Sequence, residues 1–197
     1  SDPRVFMRSL ATRQANLALS PHVASAVDLV KVAGYDLVIL ETSGIGQADT
    51  EIVDHADLTL YVMTPEYGAA SQLEKVDMLD FADLIVVNKA DRRGSEDAVR
   101  DVRRQYRRNH AAFDDVDDDL PVYATVASHF NDAGTNRFYH KLMERIDSLT
   151  QGRFRSTIDL PTDRGGDQPI IPKDRVRYLS EISDTIRSYN ERVAAQT

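Results

Sequence analysis

Short apolar runs alternate along this chain with longer stretches in which apolar residues recur every three or four positions. The runs are DLVIL (36–40), LTLYVM (58–63), LIVV (84–87) and VYATVA (122–127). Each run is too short for a helix and too continuously apolar for a strand that has one face in water. We therefore predict strands that are buried on both faces of a parallel sheet.

The stretches between these runs have the spacing of helices, over residues 21–34, 69–82, 95–110 and 133–149. Ser20 and Pro21 predict the start of the first helix and Gly34 its end, and Ser95 is predicted to cap the third. Alternating strands and helices predict an α/β layered domain with a mostly parallel sheet and right-handed crossovers. RVFMRSL (4–10) is a candidate for a further strand.

The composition changes after Leu149. Residues 150–172 contain three Pro and three Gly, which predicts a linker. From Lys173 onward a narrow apolar stripe predicts one long helix. We assign residues 1–150 to one domain and residues 151–197 to a linker and helix. The stripe can pack on this domain or on another one, and the sequence leaves both open.

Charge and cysteine content narrow the function classes. The chain has 197 residues, a formal net charge of -8 and no cysteine, which excludes a disulfide framework and a Cys-based zinc site. No run has the ~18 apolar residues of a membrane span. The basic cluster at 100–110 is followed at once by acidic residues 114–119, which predicts a solvated helix face beside an acidic loop. We expect a cytoplasmic protein without a membrane or nucleic-acid partner.

The tetrapeptide NKAD (88–91) directly follows the apolar run LIVV. Open α/β sheets bind ligands at the carboxyl ends of their strands, so the position favours a site over a plain polar turn. In such a site the Asp91 carboxylate would accept from the ring N–H and the amine of guanine. Asn88 would contact the purine and brace neighbouring loops, and the Lys89 stem would cover the base.

Two further strand ends carry candidate residues. In ETSGIGQ (41–47), Glu41 would serve Mg²⁺, the Gly44 N–H would face the terminal phosphate, and Gln47 would position water or act as a switch residue. In TVASHF (125–130), Ala127 and Ser128 would offer backbone N–H groups to the guanine oxygen. Gly turns and Ser/Ala loops also occur without any ligand.

Asp2 is a candidate switch-type Mg²⁺ ligand, because carboxylate oxygen suits that ion. A frayed terminal residue is the alternative. The five histidines show no metal-binding spacing, and no nucleophile-elbow motif is present.

Four segments together resemble the G-protein chaperones of adenosylcobalamin-dependent acyl-CoA mutases, the MeaB type. They are RVFMRSLATRQ, GYDLVILETSGIGQADTEIVDHADL, MTPEYGAASQLEKVDMLDFADLIVVNKAD and VRRQYRRNH. TPEYGAASQLEK and YRRNH are most similar to members that are fused with an isobutyryl-CoA mutase in one chain.

This resemblance implies a P-loop NTPase-like domain that binds GTP or GDP with Mg²⁺. Its GTP hydrolysis would gate the loading of adenosylcobalamin, which the mutase part holds and this chain does not. The partners implied are the mutase substrate-binding and cobalamin-binding domains, in a homodimer. Residues 65–75 resemble a third switch loop, in which Gln72 and Lys75 are candidate sensors.

One family feature is missing, because the 197 residues contain no GxxxxGK[ST] phosphate loop. We therefore expect the C-terminal portion of a GTPase domain, lacking the first strand of its sheet and inactive by itself. Two alternatives stay open: a non-catalytic interaction module, and a stand-alone GTPase chaperone of a methylmalonyl-CoA mutase. A nickel- or cobalt-insertion GTPase is disfavoured because its Cys and His ligands are absent.

Overall fold

A parallel sheet forms the centre of the domain. The computed structural model describes residues 4–10, 19–42, 51–67, 73, 76–162, 168–169 and 186–188. Within these, strands β1 (Leu60–Met63), β2 (Leu84–Asn88) and β3 (Val122–Thr125) pair in parallel in the order β1-β2-β3. The predicted α/β class with a parallel sheet is confirmed.

Burial differs between the strands. The first four residues of β2 are all buried, as its continuous apolar run predicts. On β1, however, Leu60 is 40% and Val62 is 55% exposed, so the prediction of burial on both faces is wrong for this strand. The reason is tertiary: Leu60 and Val62 lie on one face of β1, which no described element covers fully, whereas Met63 on the other face is buried.

The predicted strands at 36–40 and 4–10 are also wrong. Residues 4–10 and 37–42 contain no strand, and Ile39 is 85% exposed. An apolar run becomes a strand only when a neighbouring strand accepts its hydrogen bonds. Leu40 instead packs beside a small cluster that contains Leu19 and Val23.

The described helices are α1 (Val23–Val32), α2 (Met78–Phe81), α3 (Ser95–His110) and α4 (Ala133–Leu149), and α3 and α4 pack against the sheet. The bounds predicted for α3 and α4 are confirmed, and α1 is shorter at both ends. Gly34 has a φ of 87° just beyond α1, the left-handed conformation that commonly ends helices. Of the helix predicted over 69–82, the described part is helical at Leu73 and in α2.

The predicted cap of α3 is wrong. Ser95 is the first helical residue, and the cap position belongs to Gly94, whose φ is 83°. The Ser95 hydroxyl donates instead to the carbonyl of Ala90 at 2.6 Å. The helix therefore begins directly under the NKAD turn, to which it is hydrogen-bonded.

The main core lies between β2, α2 and α3. Its fully buried side chains include Leu79, Ile85, Val87 and Val102. The opposite face of α3 is basic, and Arg107 forms an ion pair with Asp117 while Arg103 lies 3.5 Å from the same carboxylate. The solvated basic face beside an acidic loop is confirmed.

The chain after α4 returns to the sheet edge. Strand β4 (His129–Phe130) pairs antiparallel with β5 (Gln168–Pro169), inside the predicted linker. Of the predicted C-terminal helix, only residues 186–188 are described, and they are helical. The division into domains at residue 150 stays a prediction. Within the described ranges, no helix is both long and apolar enough to cross a membrane.

Candidate functional site

Asn88 joins the carboxyl ends of two neighbouring strands. It is the last residue of β2 and lies beside Thr125, the last residue of β3. Its Oδ1 accepts from the Thr125 hydroxyl at 3.3 Å and from the Ala127 N–H at 3.2 Å. Its Nδ2 donates to no acceptor among the described residues. The side-chain oxygen is therefore used to brace the two loops, and the nitrogen is not bonded to any described group.

Lys89 turns the chain sharply after β2. Its φ is 59°, a left-handed conformation that costs a non-glycine residue roughly 1–2 kcal/mol. The turn is held from both sides, because the Ala90 N–H donates to Thr125 O and the Arg92 N–H donates to Lys89 O, each at 3.0 Å. Strain that the surroundings maintain in this way is frequent at functional sites.

Asp91 follows this turn and is exposed. It belongs to the residues 90–97 that line an open depression of about 500 Å³. Its carboxylate makes no hydrogen bond or ion pair to the described part of the chain. Asn88, Lys89 and Asp91 thus lie on one braced turn with polar groups that a ligand can reach.

The facing loop offers fewer free donors than predicted. Both Ala127 and Ser128 are exposed, but the Ala127 N–H is already donated to Asn88. The Ser128 N–H donates to no acceptor among the described residues, so it is the donor that remains for a ligand. The roles of these residues stay predictions.

Asp132 was not predicted as a functional residue, but its side chain holds the loop after β3 in place through hydrogen bonds. Asp132 is 8% exposed and caps α4. Its Oδ2 accepts from the Thr135 N–H at 2.7 Å, the Thr135 hydroxyl at 2.8 Å and the Val126 N–H at 3.0 Å. The sequence DAGT held the signal, since Asp is a preferred helix cap. One carboxylate therefore fixes the loop to the start of the helix.

The same contacts set the protonation of Asp132. Burial acts to raise the pKa of this carboxyl. The hydrogen bonds from Val126, Thr135 and the Gly134 N–H outweigh burial and hold the pKa below its ordinary value of 3.8. Because the folded-state pKa is the lower one, this contribution to stability is present above the unfolded-state pKa. It is lost as the pH falls through the folded-state value.

We expect the Asp132→Ala variant to lose about 2 kcal/mol of unfolding free energy at pH 7, since it removes a cap and leaves the Val126 N–H without a partner. The difference from the wild type should shrink at pH 3. Urea unfolding followed by circular dichroism at both pH values measures it. Asp114→Ala, at an exposed acid with no described partner, is the control. A loss that is equal at the two pH values would contradict the linkage.

A side-chain contact joins the turn at residues 88–92 to the predicted third switch loop at residues 65–75. Glu66 forms a hydrogen-bonded ion pair with Arg92, the residue after Asp91. The pKa of Glu66 lies at about 2, because its side chain accepts hydrogen bonds from Thr64, from its own backbone and from Arg92. Gln72 and Lys75 lie outside the described residues, so the rest of that loop is not placed.

Most of the residues predicted to bind the phosphates and Mg²⁺ lie outside the described part of the chain. Glu41 is exposed and in irregular structure, whereas Gly44, Gln47 and Asp2 lie outside the described residues. Across the ranges that the structure covers, no three His, Asp or Glu side chains cluster as a metal site. The assignments of Glu41, Gln47 and Asp2 therefore remain predictions.

The fold and the braced turn define an α/β domain with exposed polar groups at the carboxyl edge of its parallel sheet. The family model "Methylmalonyl Co-A mutase-associated GTPase MeaB" matches residues 1–157. The chain belongs to this family.

Curated relatives include much longer proteins. The chain is 48% identical over 196 residues to the fused isobutyryl-CoA mutase of Geobacillus kaustophilus, covering 100% of this chain and 18% of that protein. It is 49% identical over 199 residues to the one of Cupriavidus metallidurans, with 99% and 18% covered. It is 31% identical over 193 residues to a putative GTPase of Pyrococcus horikoshii, with 94% and 59% covered. The chain thus spans less than a fifth of the fused mutases.

Proposed function

We propose that this chain supplies the base-recognition part of a guanine-nucleotide site. The observation that carries the proposal is the Asn88 side chain, whose oxygen braces Thr125 and Ala127 and whose nitrogen is left for a ligand. A plain polar turn needs no side chain that ties it to the next strand's loop. The bracing also brings the exposed Asp91 and the Ser128 N–H to the same sheet edge.

The chemistry of these groups suits guanine. The Asp91 carboxylate only accepts hydrogen bonds, and guanine presents two adjacent donors, its ring N–H and its amine. The Ser128 N–H would donate to the guanine oxygen, and Asn88 Nδ2 to a ring nitrogen. Adenine presents an acceptor where guanine has the ring N–H, so the Asp91 carboxylate would repel it. The apolar stem of Lys89 would cover the face of the base.

In the whole protein, the domain would be the GTPase chaperone of a B12-dependent mutase that converts isobutyryl-CoA to butyryl-CoA. The support is the membership of the family and the identity to fused isobutyryl-CoA mutases along the entire chain. GTP hydrolysis with Mg²⁺ would gate the loading of adenosylcobalamin into the mutase domains, within a homodimer. Gly44 and Gln47 would sense the phosphates, and Glu41 and Asp2 would hold the Mg²⁺.

We expect the 197-residue chain to bind GDP in preference to ADP and to hydrolyse GTP poorly. The chain would provide the base contacts, but its 197 residues contain no GxxxxGK[ST] sequence to hold the phosphates. Calorimetric titration with GDP and ADP tests the preference, and phosphate release from GTP tests turnover. Robust Mg²⁺-dependent hydrolysis would refute the expected inactivity, and equal affinities would refute base recognition.

The exposed apolar face of β1 favours a second candidate, a non-catalytic docking module. Leu60 and Val62 are exposed on that strand, and Ile39 is exposed earlier in the chain. Large exposed apolar groups often mark interaction surfaces. Such a module would bind neither GDP nor ADP in the same titration, whereas the proposed guanine site requires GDP binding.

A further inference from the structure

The segment after α4 returns to the predicted base site. We use "base loop" for residues 125–132 and "strap" for residues 156–162 together with 168–169. The strap contacts the base loop through the β4–β5 pairing, in which Phe130 lies beside Gln168 and His129 beside Pro169. Two-residue ladders are weak by themselves, so the strap needs further anchors.

The anchors are side chains on one face of α4. Asn136 Nδ2 donates to the carbonyl of Pro161 at 2.7 Å, and His140 Nε2 lies 3.0 Å from the carbonyl of Leu160. A carbonyl only accepts, so the His140 ring donates. Farther along, the Tyr139 hydroxyl lies 3.0 Å from Ser156 Oγ. The strap is thus fixed at successive points along the helix.

Asn136 also holds the base loop. The same Nδ2 donates to Asn131 Oδ1 at 2.9 Å, and the side chain is buried, with 5% exposed. One amide group therefore connects the loop to the strap, one turn of helix from the Asp132 cap. A buried amide without one of these partners is costly, so loss of either contact disturbs the other.

We propose that Asn136 is a positioning residue that couples the strap to the base loop, so that strap seating and guanine binding stabilise each other. The coupling must act equally in both directions. The strap lies where the match to the family model ends, at residue 157, so it joins the family domain to the residues that follow. The proposal has two halves. The mechanical half is the coupling between the strap and the base loop, and it does not depend on the proposed function. The binding half is the mutual stabilisation of strap seating and guanine binding, and it rests on the proposed function.

Hydrogen exchange with mass spectrometry on the full chain tests the mechanical half without nucleotide. His140→Phe keeps a ring but removes the donor to Leu160, which releases the strap without touching the loop. We expect exchange to rise about three- to tenfold in residues 156–162 and also in the base loop, the effect of about one lost hydrogen bond. Lys141→Gln is the matched control, since it breaks only the surface pair with Glu144 on the same helix.

A strap that exchanges faster beside an unchanged base loop would overturn the coupling, as would a control that behaves like His140→Phe. Asn136→Asp, which removes both donors at constant size, should give the larger effect on the loop if it folds. In the second arm, GDP should slow exchange in the base loop and the strap of the wild type. Absence of any GDP effect would refute the proposed function and the binding half, and the nucleotide-free comparison would still decide the coupling.

Discussion

Replacing Gly134 with alanine should destabilise the protein by about 3 kcal/mol, even though alanine favours helices over glycine by about 1 kcal/mol. A Cβ built on Gly134 lies 1.9 Å from the carbonyl oxygen of Ala124 in β3. That neighbour is backbone within the sheet, so it cannot rotate away. Either α4 or β3 must shift, and the Asp132 cap and the base loop would move with them.

Thermal and urea unfolding measure this change, and we expect a fall of roughly 10 °C in the melting temperature. Ser148→Ala, at an exposed position near the end of the same helix, is the control and should be nearly neutral. Gly94→Ala is a second comparison, since its φ is 83° but no atom lies within 4 Å of the added Cβ. A Gly134→Ala variant as stable as the wild type would show that the helix does not approach the sheet this closely.

The Asp91→Asn variant should shift the ratio of the affinities for GDP and xanthosine diphosphate (XDP) by about 100-fold or more in favour of XDP. The carboxylate would accept two hydrogen bonds from guanine, each worth about 1.5–3 kcal/mol because the acceptor is charged. Xanthine has an oxygen in place of the amine, and an asparagine side chain can donate to that oxygen. Competitive titration with GDP and XDP gives the ratio directly. Because the two nucleotides carry the same phosphates, the ratio reports the base alone.

The control for this swap is Asp97→Asn. Asp97 lines the same depression as Asp91 but is paired with Arg100 on the surface of α3. The Asp97→Asn substitution also removes one carboxylate charge close to Asp91, so it reports any general electrostatic effect of that charge loss on nucleotide binding. Equal changes in the two variants would mean that Asp91 does not read the base.

Local patterns predicted several elements well, for physical reasons. The bounds of α3 and α4 followed from helical periodicity, and the end of α1 followed from a glycine that adopts a positive φ. The placement of Asn88, Lys89 and Asp91 on a turn directly after a buried strand followed from a short motif, and their role in base binding stays a prediction. Each of these signals lies within a few neighbouring residues, so no knowledge of distant contacts was needed.

Most of the errors arose where the hydrogen-bond partners of a residue could not be predicted from its own local pattern. DLVIL at 36–40 has the composition of a strand, yet its described residues form none, since a strand depends on a partner that its own residues do not specify. Ser95 looked like a cap, but its hydroxyl donates to Ala90. The Asp132 cap was missed although the local sequence DAGT held its signal, whereas the contacts of Asn136 were missed because its partner Pro161 lies 25 residues away.

The sequence by itself determined the α/β class, the bounds of α3 and α4, the guanine-type motif and the resemblance to the family. These depend on periodicity and on residues that are close along the chain. Only the tertiary structure decided that Asn88 braces the loop after β3, that Gly134 must lack a side chain, and that the strap returns to the base loop. Those facts depend on which backbone atoms approach each other across the fold, and packing rather than local preference settles that.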